Sequence, residues 1–207
     1  MEGSLRKLGV FGGSFNPVHT GHLVLAQDAL EQFELDEMLL VPCRNPPHKP
    51  HSELVPAPHR RAMLEAVCEE DPRFEVSEME LNRNGISYTI DTIQQLQLLY
   101  PDDEICFVIG SDTVPDLPTW HRVGELLNLC TFLVMARPGF ERKELERMDL
   151  DLPAPWPDRL LNHIVDGHLI EISSSDIRMR VAEGMSIRYL VPPVVEMYIY
   201  EHGLYNT

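Results

Sequence analysis

The sequence predicts an α/β protein in which helices cover both faces of a parallel sheet. Short apolar runs, of the kind that form buried strands, alternate along the chain with segments whose apolar residues recur at helical spacing. This alternation is typical of parallel βαβ units. The chain has 207 residues, an ordinary length for one domain. We therefore predict a single domain over residues 1–207.

Each predicted strand is a short apolar run that ends at a turn or at a strand-breaking residue, as expected for strands buried on both faces. The first run, KLGVFG, ends in two glycines, and the second, MLLV, is followed by Pro42. ICFVI and TFLVMA have the same character, whereas the pattern of the last strand is weaker. Strands are predicted at residues 7–12, 38–41, 73–77, 105–109, 131–136 and 164–172.

The predicted helices lie between these strands and after the last of them. In the first, Leu23, Ala26, Leu30 and Phe33 fall on one face. Capping residues mark three others: Ser87 or Thr89 begins the third helix, Ser175 begins the fourth, and Pro192, Pro193 and Gly203 bracket the last. Helices are predicted from Gly21 and over residues 59–69, 90–99, 175–183 and 189–202.

The charge balance limits the classes of partner. Lys and Arg number 17 and Asp and Glu 33, which gives a formal net charge of −16. Non-specific nucleic-acid binding needs a basic surface, so we predict no nucleic-acid partner. No apolar run approaches the roughly 18–20 residues of a membrane span, and the apolar stretch at the N-terminus is too short for a secretory signal. We predict a cytoplasmic protein without a membrane partner.

The most informative segment, GGSFNPVHTGH, follows the first strand and opens the first helix. Gly12 and Gly13 allow a tight turn and close approach of the backbone to a ligand. His19 and His22 are three residues apart, so in the first helical turn they share a face and can donate hydrogen bonds to one phosphate. The N–H groups at the start of the helix add an anion site.

These residues resemble the HxGH nucleotidyltransferases, and further segments narrow the resemblance to bacterial nicotinate-nucleotide adenylyltransferases. The matching elements run in family order along nearly the whole chain. One departure is Asn16, where the family commonly has Asp. The matching segments are PPHK at 46–49, SYT at 87–89, GSD at 110–112 with Trp120 eight residues after the Asp, RPG at 137–139, ISSSDIR at 172–178 and YLVP at 189–192.

The resemblance implies a Rossmann-like fold and an enzyme that transfers AMP from ATP to nicotinate mononucleotide, releasing pyrophosphate. His22, with His19 beside it, is the implied catalytic group, and Asp112 is implied to bind the ribose of adenosine. The implied ATP-binding residues are Gly12, Gly13, Ser14, Phe15, His19, His22, Gly110, Asp112, Ser174, Ser175 and Arg178.

The resemblance also implies an acceptor site. Trp120 stacks on the pyridine ring, the helix start at Tyr88 and Thr89 binds the nicotinate carboxylate, and His48 and Lys49 meet the acceptor phosphate. Arg137 is the sixth implied acceptor residue. Mg²⁺ is implied as a cofactor that is held by the ATP phosphates and water, without protein side-chain ligands.

Three points stay open at this stage. The acceptor can instead be nicotinamide mononucleotide or phosphopantetheine, because acid and amide differ by a few backbone donors that a sequence does not show. Because Asn16 stands where the family commonly has Asp, a nucleotide-binding module without catalytic turnover is an alternative. Assembly into a homo-oligomer is also open.

Overall fold

The computed structural model describes residues 5–46 and 54–206. Within these ranges six strands form one all-parallel sheet in the order β3-β2-β1-β4-β5-β6. This is the strand order of a Rossmann-like doubly wound sheet, so the predicted α/β fold class is confirmed. The strands are β1 (Lys7–Gly13), β2 (Glu37–Pro42), β3 (Phe74–Val76), β4 (Glu104–Gly110), β5 (Thr131–Met135) and β6 (Ile164–Val165).

The helices connect the strands as βαβ units require. Three of them, α4 to α6 in the list below, lie between β4 and β6 together with a 3-10 helix at Ser111–Thr119, and no helix was predicted there. The α-helices are α1 (Thr20–Gln32), α2 (Ala57–Cys68), α3 (Thr89–Leu99), α4 (Val123–Leu129), α5 (Arg142–Leu145), α6 (Trp156–Asn162), α7 (Ser174–Ala182) and α8 (Pro193–Glu201).

The central strands form the core. Every side chain from Ile105 to Ile109 in β4 is buried, so both faces of this strand are covered. β4 pairs in parallel with β1 on one side and with β5 on the other. The strand order reverses between β1 and β4, and sheets of this kind bind ligands beyond the carboxyl ends of the strands at that point.

Contacts along the chain group into two compact units. The first comprises Met1–Phe11, Leu25–Met38 and Tyr88–Leu169, and the second comprises Gly12–Val24, Leu39–Ser87 and Ile170–Thr207. The prediction of a single domain over residues 1–207 stays a prediction. No helix in the described ranges is long and apolar enough to span a membrane.

The last strand is much shorter than predicted, because side chains of α1 occupy the backbone groups that would extend it. β6 covers Ile164–Val165 instead of residues 164–172. The His168 N–H donates to Asp28 Oδ2 at 2.7 Å, and Gln32 Nε2 donates to the Asp166 carbonyl at 2.8 Å. The His168 ring also contacts Asp28, with Nδ1 2.9 Å from Oδ1.

Three helix starts differ from their predictions. α8 begins at Pro193 rather than at 189, because Tyr189 has a left-handed φ of +70°. The cap of α7 is Ser173, whose Oγ accepts from the Asp176 N–H at 3.1 Å, and the predicted cap Ser175 lies inside the helix. The predicted side-chain cap of α3 is absent: Tyr88 stands at the N-cap and its side chain makes no capping hydrogen bond.

Candidate active site

The predicted catalytic histidines lie together at the start of α1. Their rings stack with 3.6 Å between centroids and an interplanar angle of 26°. The His19 N–H approaches His22 Nδ1 at 3.3 Å, and the His22 N–H approaches His19 Nδ1 at 3.3 Å. The His22 N–H makes its shorter hydrogen bond to the His19 carbonyl, at 2.9 Å. A neutral imidazole whose Nδ1 accepts carries its proton on Nε2, from which it can donate.

Neighbouring residues fix this pair. A Cβ on Gly21 would lie 3.2 Å from His19 Nδ1, so the glycine lets the imidazole pack against the helix backbone. The Thr20 N–H donates to the Leu190 carbonyl at 3.0 Å, and Thr20 Oγ1 donates to the Tyr189 carbonyl at 3.3 Å. The YLVP segment therefore holds the first turn of α1.

Between β1 and α1 the chain forms a tight turn at residues 12–17, called here the 12–17 turn. Gly12 and Gly13 are the last two residues of β1 and the first two of this turn, and they follow the buried part of the strand directly. Phe15 is fully buried with a left-handed φ of +44°, a conformation that a bulky residue adopts only when its surroundings hold it. Its ring meets the His22 ring edge-on at 5.1 Å.

The predicted ATP-binding residues of α7 bond to the 12–17 turn. Ser174 Oγ donates to the Pro17 carbonyl at 2.9 Å, and Arg178 Nη1 donates to the Asn16 carbonyl at 2.9 Å. Arg178 Nη2 donates to Ser175 Oγ at 3.3 Å. The structure thus brings Ser174, Ser175 and Arg178 to the turn that precedes the catalytic histidines.

The departure at Asn16 has a structural explanation. The side chain is 1% exposed, and its Oδ1 accepts hydrogen bonds from the Val55 N–H at 3.2 Å and the Tyr205 hydroxyl at 3.1 Å. Burial raises the pKa of Tyr205, which keeps the hydroxyl proton available for this bond. An amide oxygen serves two donors as a carboxylate oxygen would, so Asn16 can shape the turn without a charge.

The sequence analysis missed Arg60, which lies on α2 and is 1% exposed. Its Nη1 donates to the Ser14 carbonyl at 2.8 Å and to the Cys43 carbonyl at 2.7 Å, and its Nε donates to the Val55 carbonyl at 3.2 Å. The sequence did hold a signal. Position 60 shares the apolar helical face of α2, where the other buried residues are Met63, Leu64 and Val67.

In the first unit, the segments after β4 and β5 lie together. A Cβ on Gly110 would collide with the Asp112 carboxylate, so a larger residue there would displace the Asp112 side chain. Asp112 is exposed, and its Oδ1 lies 4.0 Å from Arg137 Nε. The Arg137 N–H donates to Ser111 Oγ at 2.8 Å, and Ser111, another residue that the sequence analysis missed, is fully buried. Asp112 is therefore held at the surface beside a cation.

The aromatic residues predicted for the acceptor follow the 3-10 helix. Trp120 is half-buried and meets Phe107 edge-on at 6.1 Å. The adjacent His121, to which no role was assigned, stacks on Tyr88 at 4.3 Å. Tyr88 and Thr89 lie at the start of α3, where no side chain caps the helix. The Asp91 N–H donates to the Tyr88 carbonyl at 3.2 Å. A helix start without a side-chain cap is a position where a carboxylate can bind.

Two predicted residues, His48 and Lys49, lie outside the described residues. In the described ranges no three side chains of His, Cys, Asp or Glu come together as a group that could hold a metal ion. A cavity of about 370 Å³ lies at the N-terminal ends of β4 and β5, away from the carboxyl ends that the predicted site residues follow. It is lined in part by Glu104, Thr131 and Trp156. None of the predicted site residues lines it.

Comparison with known proteins gives one consistent result. Residues 10–180 match the family model described as cytidylyltransferase-like. A Geobacillus kaustophilus (strain HTA426) protein named "Probable nicotinate-nucleotide adenylyltransferase" is 44% identical over 201 residues, which cover 97% of this chain and 87% of that protein. A protein of the same name from Opitutus terrae is 45% identical over 200 residues, covering 97% and 98%.

The chain belongs to the nicotinate-nucleotide adenylyltransferase family.

A solved structure agrees with the fold. The Plasmodium falciparum nicotinic acid mononucleotide adenylyltransferase in complex with NaAD superposes with a TM-score of 0.77 at 19% identity, covering 97% of each chain. At that identity the likeness supports the fold alone. The resemblance to the nicotinate-nucleotide adenylyltransferases, drawn from the sequence motifs, is confirmed.

Proposed function

We propose that this chain transfers the adenylyl group of ATP to nicotinate mononucleotide, forming nicotinate adenine dinucleotide and pyrophosphate in NAD biosynthesis. The observation that carries the proposal is the stacked histidine pair at the start of α1, beside a turn fixed by hydrogen bonds, in a chain of this family. A phosphate oxygen of the acceptor attacks the α-phosphorus of ATP. The bond to the oxygen that bridges to the β-phosphate breaks, and pyrophosphate leaves with the electron pair.

This chemistry needs no strong general base, because the attacking phosphate oxygen is already ionised at neutral pH. Catalysis rests on alignment of two polyanions and on donors placed where negative charge develops. We assign His22 Nε2, with His19 beside it, to the reacting phosphates. The Nδ1 contacts of both rings support this assignment, since they leave the proton on Nε2.

The triphosphate is assigned to the 12–17 turn and to the start of α7. Arg178 has five N–H donors and uses two on the Asn16 carbonyl and Ser175 Oγ, so it can turn others to phosphate. The N–H groups at the start of α7 add a partial positive charge. In a chain with a net charge of −16, such local donors must supply the attraction.

Mg²⁺ is the cofactor of the proposal. The donors around the 12–17 turn are N–H, imidazole, hydroxyl and guanidinium groups, which fit phosphate oxygens rather than a cation. We therefore assign the ion to the phosphate oxygens of ATP and to water. Bound there, it neutralises charge on the triphosphate.

On the acceptor side, we assign Trp120 to the pyridine ring and the start of α3 at Tyr88 and Thr89 to the nicotinate carboxylate. On the ATP side, we assign Asp112 to the ribose of adenosine. The half-buried ring of Trp120, the uncapped helix start and the exposed carboxylate support these roles. Arg137, held beside Asp112, is the further acceptor residue. A cytoplasmic location and assembly into an oligomer stay predictions.

The decisive experiment measures pyrophosphate release by the purified protein with ATP and Mg²⁺. Nicotinate mononucleotide, nicotinamide mononucleotide and phosphopantetheine are compared as acceptors at equal concentration. We expect a strong preference for the first. A preference for another acceptor would replace the acceptor assignment, and ATP binding without release for any acceptor would indicate a non-catalytic nucleotide-binding module.

A further inference from the structure

Arg60 is a buried cation that the proposed reaction does not use. It is 1% exposed and lies on the inner face of α2. Its guanidinium bonds to three backbone carbonyl oxygens and to no carboxylate among the described residues. Burial lowers its pKa, which reflects the cost of removing the charge from water. A buried arginine without an ion-pair partner is rare, since a well-packed apolar residue costs less.

The neighbouring Arg61 shows what an ordinary arginine does on the same helix. It lies partly exposed and pairs with Glu65 and Glu78, each at 2.8 Å. Exposed pairs of this kind contribute little to stability. Arg60 and Arg61 therefore form a natural contrast between a buried carbonyl-binding arginine and a solvated ion-paired one.

The three carbonyls that Arg60 binds come from three separate segments. Ser14 is in the 12–17 turn, Cys43 follows β2, and Val55 precedes α2. Cys43 and Val55 thus bracket residues 44–54, and one planar fork of donors ties both ends of that segment to the 12–17 turn. The Cys43 N–H adds a bond to the Gly13 carbonyl at 2.9 Å. A lysine, with one nitrogen, could not span three such acceptors in this fixed geometry.

The bond to the Ser14 carbonyl also sets the direction of the next N–H. In a trans peptide the C=O and N–H point in opposite directions. Because the Ser14 oxygen is drawn towards the Arg60 guanidinium, the Phe15 N–H points away from it. Phe15 holds a left-handed φ of +44°, which needs such external bonds to persist.

We propose that Arg60 is a positioning residue for the phosphate-binding 12–17 turn, which it ties to Cys43 after β2 and to Val55 before α2. This inference rests on the proposed function. Arg60 fixes the turn in the shape that binds the ATP phosphates, and it fixes both ends of the 44–54 segment relative to that turn. Its loss therefore lowers kcat, and with it kcat/KM for both substrates, in contrast to a change in either substrate pocket alone.

The test compares Arg60→Met, Arg60→Lys and the matched control Arg61→Met with the wild type. Thermal unfolding is measured first, and kinetics are then measured well below the lowest Tm. Pyrophosphate release gives kcat and the KM for ATP and for nicotinate mononucleotide. Amide hydrogen exchange in peptides covering residues 12–18 and 40–46 gives a readout independent of activity.

We expect folded Arg60→Met to lose at least tenfold in kcat/KM for each substrate and to exchange faster in both peptides. Arg61→Met stays within about twofold of the wild type. Arg60→Lys falls between wild type and Arg60→Met, because it keeps the charge but not the three bonds. If Arg60→Met does not fold, Arg60→Lys decides the question on the same readouts.

Wild-type kinetics and exchange in a folded Arg60→Met, or in Arg60→Lys where Arg60→Met does not fold, would overturn the proposal. A variant that loses only Tm, with unchanged kcat and KM, would also overturn it, since that is a purely structural role. If the wild type itself releases no pyrophosphate with any acceptor, the proposed function fails. The exchange readout and the affinity for a non-hydrolysable ATP analogue then test Arg60 separately.

Discussion

The 12–17 turn and the segment from Gly110 to Trp120 both follow central strands, but they are held very differently. In the turn, the carbonyls of Ser14, Asn16 and Pro17 all accept side-chain hydrogen bonds. In the other segment, Asp112 is exposed and its Oδ1 lies 4.0 Å from Arg137 Nε, the closest cation within residues 5–46 and 54–206. The turn next to the groups assigned to the reacting phosphates is thus fixed before substrate arrives, whereas the carboxylate assigned to the ribose faces solvent and Trp120, assigned to the pyridine ring, is half-buried.

The difference follows from what each region does in the proposed reaction. Donors that stabilise charge in the transition state act best when they need no reorganisation at the moment of reaction. Groups that bind ring and sugar contribute equally before and during the reaction, and their role is affinity. We therefore expect changes in the turn region to alter kcat and changes near Trp120 to alter KM.

The largest effect is expected for His22→Ala. Loss of a donor to the reacting phosphates lowers kcat by about 10²–10³-fold, while the half-buried position leaves Tm nearly unchanged. Steady-state pyrophosphate release and thermal unfolding measure the two quantities. His202→Ala, at an exposed histidine after α8, is the control. Unchanged turnover in His22→Ala would remove this residue from the mechanism.

A pair of variants at Asn16 tests whether shape or charge matters in the turn. Asn16→Leu leaves the buried Val55 N–H and Tyr205 hydroxyl without their acceptor, so the free energy of unfolding falls by about 3 kcal/mol. Asn16→Asp keeps an oxygen for both donors and keeps kcat within about threefold of the wild type. Urea unfolding and pyrophosphate release decide the matter. A large gain in activity with Asn16→Asp would show that the missing charge was functional.

Trp120→Ala tests the segment from Gly110 to Trp120. Loss of base stacking raises the KM for nicotinate mononucleotide about tenfold, since such stacking contributes about 1–3 kcal/mol per ring. The KM for ATP and kcat change much less. Substrate-saturation curves for both substrates measure this split. An equal rise in both KM values would place Trp120 outside the acceptor site.

The smallest effect is expected at Tyr205. Tyr205→Phe removes one hydrogen bond to Asn16 Oδ1 and lowers the free energy of unfolding by about 1 kcal/mol at pH 8. Burial raises the pKa of Tyr205 above that of the unfolded chain. The stabilising contribution is therefore complete below about pH 10 and is lost as pH rises further. Urea unfolding at pH 8 and pH 11 should show the gap between the two proteins narrowing; a constant gap would contradict this.

The sequence predicted the parts of the fold that depend on local pattern. The apolar run ICFVI, bounded by turn residues, was expected to be a buried strand, and β4 forms there. The 3-10 helix at Ser111–Thr119 and the short β6 were beyond such patterns. The 3-10 helix contains two prolines, which predict a loop. β6 is short because the His168 N–H is bound to Asp28, a residue far away in the chain.

The same limit applies to the candidate site. Motifs in family order along the chain identified the family. The histidine pair could be predicted because its two residues lie close in sequence. The role of Arg60 was not predicted, because its partners Ser14 and Cys43 are distant in the chain and a charged residue on a helix is normally solvated. The position of His121 was not predicted either, because its stacking on Tyr88 depends on tertiary packing. The assigned roles of the individual site residues stay predictions until the variants are measured.

The outer strands of the sheet have a consequence for behaviour at high concentration. β3 has three residues and β6 two, and beyond β6 the His168 N–H is already bound to Asp28. An exposed sheet edge normally offers a row of unpaired backbone groups to a strand from another molecule. Outer strands this short offer very few, so the sheet is protected from edge-to-edge aggregation.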